Sequence, residues 1–373
     1  MFGSKKLSYL GVDLGTSSVK VVELLNFKGR PRLMTYGFTE KSPSKMNESG
    51  LIENVDETAL VLKDVLKKSK VTSNKVVAAL PNFSVFTSIL TLPDLNKKEM
   101  ASAISWEAKK IIPLPLEEII LDWKIIEEME VGGDRKETEP VIDANVMQES
   151  NPFKRIMSKS QKNVRVLLTG ASKNLIKKYV EIFNKAGLNL LSLETESFAL
   201  IRSLLGPDKS TVMLIDLGAS TSSVIIVKGG VPVISRSLEL GGQAITKTIS
   251  SSLNINLDRA EQFKQDLSLD NETAENSLPK TVETAFAQIL NEVKYTFNLY
   301  NDSNSQKIEK IVLTGGTALM GHLPGYLSSV FGVNVYLGDP FSQIIYPVDL
   351  KPVLDRVGSR FAVSVGLAMR EIE

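Results

Sequence analysis

The sequence predicts an α/β protein whose fold is repeated, on three observations. The turn Asp13-Leu14-Gly15-Thr16-Ser17-Ser18 returns far along the chain as Asp216-Leu217-Gly218-Ala219-Ser220-Thr221-Ser222-Ser223, each time between two apolar, strand-like runs. Such runs alternate elsewhere with segments whose apolar residues recur at helical spacing. The length, 373 residues, exceeds what one hydrophobic core usually supports, so two lobes or more are expected.

Each repeat reads as a β-hairpin with an acidic residue at its mouth. Tyr9-Leu10-Gly11-Val12 enters the first turn and Val19-Lys20-Val21-Val22 leaves it; Val212-Met213-Leu214-Ile215 and Val224-Ile225-Ile226-Val227 do the same for the second. Glycine lets the backbone approach a phosphate, and consecutive N–H groups with small hydroxyls form an anion-binding concavity. Two such turns make a clamp for one polyphosphate. The carboxylates of Asp13 and Asp216 would repel phosphate unless a hard cation, Mg²⁺ with retained waters, sits between them. Lys20, set against Ile225 in the second copy, reaches a phosphate oxygen. A single Asp-x-Gly is more often merely a tight turn; its recurrence in one strand context favours the paired site.

Along the chain, Arg32–Phe38 reads as a third strand, Glu53–Lys70 as a helix through Leu60, Val61, Leu62, Val65 and Leu66, and Val76–Leu80 as a strand ending at Pro81. Ser84–Leu92 is a strand, and Asn96 with Glu99 caps a helix over Lys97–Ile111 that Pro113 and Pro115 terminate. Glu118–Ile126 is another strand. From Glu127 to Asn163 the chain turns polar and reads as an exposed loop. Strand Val164–Thr169 follows, then a helix capped by Ser172 and ended by Gly187, strand Leu190–Leu193, and a helix Phe198–Leu205. The second hairpin continues through a Lys228-Gly229-Gly230 turn into strand Val231–Leu238. Helices follow after Gly241-Gly242, near Leu257–Leu267, and over Leu278–Tyr300. Ile311-Val312-Leu313 then enters Thr314-Gly315-Gly316-Thr317-Ala318, a strand, glycine turn and helix start suited to a ribose or base.

Bulk properties exclude several classes. With 44 basic and 43 acidic residues, no net field favours nucleic acid or anionic lipid, and no local patch stands out. The absence of cysteine removes disulfides and thiolate metal sites, and the single His322 makes no zinc site with other histidines. The amino terminus shows no leader pattern, and no apolar stretch reaches bilayer length. A cytoplasmic, soluble protein is expected. Trp106 and Trp123 read as packing residues, and His322 as a loop residue without chemistry.

The two Asp-x-Gly hairpins, a late Leu313-Thr314-Gly315-Gly316-Thr317 and a terminal Val365-Gly366-Leu367-Ala368-Met369-Arg370 together resemble the actin-like ATPases. That resemblance implies duplicated ribonuclease H-like domains forming two lobes around a nucleotide cleft. Within the superfamily the chain resembles the PilM family of type IV pilus assembly. The segment after Pro81 looks like the extra 1C subdomain that PilM shares with FtsA, with Glu107-Ala108, Ile112-Pro113 and Leu121-Asp122-Trp123 as its marks. The resemblance implies a first half (1A) at 1–80 and 165–207, the inserted 1C at 81–164 with its polar loop near 130–163, and a second half at 208–373 with subdomains 2A and 2B, 2B near 229–305.

Carried over, the resemblance implies ATP and Mg²⁺ as cofactors. Asp13 would hold a magnesium-bound water, Gly15, Thr16, Ser17 and Ser18 would cradle the phosphates with Lys20 paired to them, and Asp216 would orient the metal, with Gly218 and Ser220 closing over. Gly315, Gly316 and Thr317 would face the adenosine, and Glu261 with Lys264 resembles an Ala-Glu-x-x-Lys that contacts ribose or base. Glu196 stands where related proteins carry a catalytic Glu-Pro, here without the proline; it either orients an attacking water or caps the following helix.

As partner the resemblance implies the amino-terminal cytoplasmic peptide of PilN, bound in a groove between 1A and the insertion, and through it the PilN/PilO inner-membrane complex. Localisation would be cytoplasmic, peripheral to the inner membrane through that partner, which supplies the tether, without membrane insertion by this chain. After the Gly-Leu-Ala helix FtsA continues into a membrane-binding helix, whereas this sequence stops at Glu373, which favours the resemblance to PilM over FtsA. Self-association stays open. The rival readings are an FtsA-like polymerising protein and a small-molecule kinase of the same fold.

Overall fold

The computed structural model describes residues 7–40, 51–130, 162–266 and 278–372. Most of the expected polar loop, 131–161, therefore lies outside the described residues. The chain divides into two compact units, one comprising residues up to Ser84 and from Ile176 onward, the other Val85–Leu175.

In the first unit, β1 (Ser8–Leu14) and β2 (Ser18–Phe27) form the first hairpin and β3 (Arg30–Glu40) extends it antiparallel. Helix α1 (Val55–Lys68) begins at Asn54, which accepts the Glu57 N–H at 3.1 Å and donates to the Glu57 carboxylate at 3.3 Å. This reciprocal cap puts the start inside the expected span. Strand β4 (Lys75–Leu80) then lies parallel to β1.

The second unit is a three-stranded antiparallel sheet in the order β5-β7-β6, from β5 (Val85–Pro93), β6 (Ile119–Glu130) and β7 (Lys162–Ser172), with α2 (Lys97–Ile111) packed on it. Asn96 caps α2 by accepting the Lys98 and Glu99 N–H groups at 3.2 and 3.0 Å. Met100, Ala103, Ile104 and Ala108 form the buried stripe of α2. Trp123 packs against this core, but Trp106 is 48% exposed, correcting its reading as a packing residue: it falls on the face opposite that stripe. Strand β6 also runs on to Glu130, where the loop was expected to have begun, because its ladder with β7 continues to Lys162.

Helix α3 (Lys173–Ala186) is capped by Ser172, whose hydroxyl accepts the Asn174 N–H at 3.2 Å. Strand β8 (Asn189–Thr195) runs parallel to β4 and leads into α4 (Glu196–Leu204). The second half contains β9 (Val212–Leu217), β10 (Ser222–Lys228), β11 (Val231–Leu238), α5 (Gly242–Leu253), α6 (Leu257–Asp266), α7 (Lys280–Ser303), β12 (Lys310–Thr314), α8 (Leu323–Phe331), β13 (Asn334–Leu337), α9 (Lys351–Val357) and α10 (Ala362–Met369).

The duplication is explicit in the topology. One sheet is ordered β3-β2-β1-β4-β8 and the other β11-β10-β9-β12-β13, each an antiparallel meander whose first strand continues into two parallel neighbours. The turns match as well: Gly15 N–H donates to Ser18 O at 2.9 Å, and Gly218 N–H to Thr221 O at 3.0 Å. Register pairs Asp13 with Lys20 and Asp216 with Ser223. Ser223, not Ile225, therefore holds the place of Lys20 in the second copy, because the second turn carries its small polar residues as far as Ser223.

Residues Gly11–Leu14 and Val212–Ile215 are buried without alternation, as expected where both sheet faces are covered. One face of the second sheet packs Leu214, Ile225 and Val312 against Ala199 and Leu200 of α4 and Leu367 of α10. The other buries Met213, Ile215 and Ile311 under Ile245 of α5 and Phe286 and Val293 of α7. Helix α10 also packs Val365 and Ala368 with Val22 and Leu24 of the first sheet. Both halves thus share a core around α4 and α10.

Candidate functional site

The ends of β1 and β9, the start of α4, the two hairpin turns and the loop after β12 open on one cavity of about 670 Å³ within the first unit, a size suited to a small-molecule ligand. Of the residues singled out, Asp13, Gly15, Thr16, Ser17, Ser18, Lys20, Glu196, Asp216, Gly218, Glu261, Lys264, Gly315, Gly316 and Thr317 line it. Ser220 does not; its neighbours Ala219 and Thr221 do.

One end is acidic and buried. Lys20 Nζ lies 2.9 Å from Asp13 Oδ2, directly across the hairpin. Burial by itself would lower the Lys20 ammonium, but the charge of Asp13 and its hydrogen bond, reinforced by Asp216 and Glu196, hold it above the ordinary lysine value. Burial pushes Asp216 up to about 6, with Asp13 adding and Lys20 opposing. Glu196 is pushed up to about 8, first by burial and then by Asp13 and Asp216, against the Asn82 N–H and Lys20. The raised carboxyls of Asp216 and Glu196 beside Asp13 mark an end where negative charge is crowded and a further cation would be favourable.

Gly315 holds Asp216 in place from the side. Its φ of +91° suits glycine alone, and a Cβ there would come within 2.6 Å of Asp216 Oδ1 and 2.4 Å of Leu217 O. The helix start expected at Thr317 is instead a 3₁₀ turn, Thr317–Leu319, with the α-helix delayed to Leu323. His322, at φ 62°, breaks the chain direction between them. Thr317 Oγ1 donates to Gly218 O at 3.2 Å, tying this turn to the second hairpin.

Glu261 and Lys264 share one face of α6 and pair at 2.6 Å. Lys264 Nζ also donates to Gly242 O at 3.1 Å and Thr246 Oγ1 at 2.9 Å, which commits its three donors to the cavity wall. Glu261 accepts from Thr246 Oγ1 at 2.6 Å as well. The Lys264 ammonium and these hydrogen bonds outweigh the burial that would raise Glu261, and hold its carboxyl below the usual range. Pattern reading missed Gln243, Leu257, Leu319, Met320 and Arg360, which also line the cavity. Leu319, Met320 and Arg360 sit in short irregular turns, where no periodicity marks them.

Glu196 begins α4 and does not cap it: the N-cap residue Thr195 makes no side-chain bond, and Asn82 Oδ1 accepts the Ser197 N–H at 3.2 Å instead. Glu196 Oε2 accepts the Asn82 N–H at 2.9 Å. The open alternative between water-orienting and helix-capping thus loses its simplest form, since Glu196 caps the turn at Asn82 while facing the cavity.

Among solved structures, the PilM–PilN type IV pilus biogenesis complex matches with a TM-score of 0.75 at 24% identity, over 99% of this chain and 99% of that one. The MreB5 protein of Spiroplasma citri bound to AMPPNP matches with a TM-score of 0.50 at 14% identity, over 97% of this chain and 95% of that one. These likenesses give the fold: an actin-like ATPase fold. Among curated sequences, the cell division protein FtsA of Bacillus subtilis is 22% identical over 374 residues, covering 89% of this chain and 78% of that protein. The sequence model of the type IV pilus assembly protein PilM matches residues 11–145 and 152–372, from β1 through the last turn after α10. With both hairpins, the acidic cavity and the terminal helix inside that match, the chain belongs to the PilM family of type IV pilus assembly proteins.

Proposed function

We propose that this protein is a nucleotide-binding adaptor of the pilus inner-membrane complex, which takes Mg²⁺-ATP in the cavity and binds the amino-terminal cytoplasmic peptide of PilN. The observation that carries the reading is the cavity: two copies of one phosphate-type turn, each with a carboxylate at its strand end, open on it, and Lys20 is the ammonium set beside those carboxylates. The fold-level likeness to a PilM–PilN complex supports PilN as the partner; a tie to PilO through PilN is part of the proposal. No described helix is long and apolar enough to cross a membrane.

The donor set fits a magnesium ion. Among the described residues no three acidic or histidine side chains converge to cage a metal, so Asp13 and Asp216 would hold it through retained waters, as magnesium prefers. When bound it supplies the positive charge that the buried carboxylates and the phosphates require. Gly15, Thr16, Ser17, Ser18, Gly218 and Lys20 would receive the phosphates, and Gly315, Gly316, Thr317 and Glu261 the nucleoside. Glu196 would orient water for slow hydrolysis, a role of position more than of covalent chemistry. Ligand between the halves would bias their arrangement and so the partner surface.

The test is a calorimetric titration of the Mg²⁺-ATP-loaded protein with the PilN amino-terminal peptide and with a scrambled control. Saturable binding of the native peptide alone is expected; no binding by folded, loaded protein would remove the adaptor role. The FtsA relatives favour a second reading, self-assembly, for which sedimentation with ATP would reveal head-to-tail fibres.

A further inference from the structure

Strands β4 and β8 end side by side, Leu80 paired with Thr195, and each runs into a helical turn. The two turns lock into one another. Asn82, first residue of the 3₁₀ turn Asn82–Ser84, donates its main-chain N–H to Glu196 Oε2 at 2.9 Å. Its side-chain Oδ1 accepts the Ser197 N–H at 3.2 Å and the Ser197 hydroxyl at 2.9 Å. Two donors on one atom fix the amide orientation, because the reversed amide would set N–H against N–H. The result is a capping box closed between segments 114 residues apart.

The ring uses only one oxygen of Glu196. Oε1 takes no hydrogen bond from the described residues, and the side chain lines the cavity with Asp13, Lys20 and Asp216. Asn82 Nδ2 is buried without a partner, which costs stability and is hard to account for if Asn82 serves only as a cap, since serine or threonine would cap without stranding a donor.

We infer that Asn82 is the positioning residue for Glu196, pinning Oε2 so that Oε1 points at the place where water meets the terminal phosphate. The inference rests on the Mg²⁺-ATP reading of the cavity. Truncating Asn82 frees Ser197 and lets the residue-82 N–H drift from the carboxylate, so Glu196 loses its direction while the phosphate turns keep theirs.

Two variants and two readouts decide it. In Asn82→Ala, ATP affinity should stay within about twofold of wild type while single-turnover hydrolysis falls at least about tenfold. Independently of turnover, the carboxyl resonance of ¹³C-glutamate-labelled, ligand-free protein that disappears in Glu196→Gln should titrate at higher pH in Asn82→Ala, since the residue-82 N–H, no longer held against the carboxylate, favours its charged form less. Asn82→Asp keeps the acceptor for Ser197 and should recover part of the rate, with its pH profile moved upward by the added charge. An Asn82→Ala protein with wild-type turnover, or with an unmoved Glu196 resonance where turnover is too slow to measure, overturns the role. Lost ATP affinity in that variant also overturns it, by making Asn82 a binding residue. Wild-type protein that binds no Mg²⁺-ATP defeats the nucleotide reading itself and this role with it.

Discussion

Lys20 and Asp13 occupy facing positions of the first hairpin, with Nζ 2.9 Å from Oδ2, whereas the second hairpin sets Ser223 opposite Asp216. One ammonium therefore serves a buried end that also holds Asp216 and Glu196. Lys20→Ala removes both the proposed phosphate donor and, among the described residues, the only ion-pair partner of Asp13. A charge-assisted hydrogen bond is worth about 1.5–3 kcal/mol, so Mg²⁺-ATP affinity should fall at least about tenfold. Lys20→Arg should not restore it, because the guanidinium fork does not fit a site built for a compact ammonium. Calorimetry with Mg²⁺-ATP checks both; unchanged affinity would take Lys20 out of the phosphate site.

Glu196 sets a pH dependence in the ligand-free protein. Its folded value, about 8, lies above the ordinary 4.5, so the folded state holds the proton more tightly than the unfolded chain. The resulting stabilisation is complete below the unfolded value and is lost as pH rises towards 8. Asp216, raised to about 6, acts with the same sign at lower pH. The melting temperature should decline across this range, and Glu196→Gln should flatten the decline. Thermal unfolding of both proteins from pH 5 to 8, with the buffer's own effect subtracted on a surface variant, measures it. Parallel curves would mean that Glu196 is not held as a buried acid.

Much of this site was legible because the duplicated turn is local: Asp13 to Lys20 spans one hairpin, and Glu261 with Lys264 spans one helical turn. What stayed hidden depends on distance or on irregular backbone. Asn82 reaches Glu196 across 114 residues, and Arg360 lies in a short turn with no periodicity. Strand β13 was not anticipated because it is only four residues long, Asn334–Leu337, and a run that short does not separate a strand from a loop by periodicity. Trp106 is different: the buried stripe Met100, Ala103, Ile104, Ala108 excludes it by helical spacing, and its aromatic character outweighed that pattern.

Glu194 and Arg202 form a part-buried fork at 2.6 and 3.1 Å, and Arg202 also donates to Gly366 O at 2.8 Å. Arg370 Nε lies 3.5 Å from the same carboxylate. Removing one partner of a fully buried pair costs about 3–5 kcal/mol because the other charge is left without compensation, and this part-buried pair carries a smaller cost of the same sign. Glu194→Ala leaves two arginines so exposed to that cost, whereas Arg202→Ala leaves Glu194 with Arg370. Denaturant unfolding should therefore rank Glu194→Ala as the more damaging, and the double variant as less costly than the sum.

Gly366 of α10 meets Ala199 of α4 so closely that a Cβ would stand 1.9 Å from the Ala199 carbonyl oxygen. In an isolated helix Gly→Ala is favourable by about 1 kcal/mol. Here the methyl group must push apart two helices that share one core, and overpacking of this kind costs about 1–3 kcal/mol. Gly366→Ala should thus destabilise despite the gain in propensity. Because α4 carries Glu196 at its first turn, the same change should disturb the Asn82–Glu196 lock and lower Mg²⁺-ATP turnover more than Mg²⁺-ATP affinity. Unfolding curves and a turnover-to-affinity comparison test the two halves together. A Gly366→Ala protein as stable as wild type would mean that the crossing yields freely, and that Glu196 takes its position from the Asn82 turn alone.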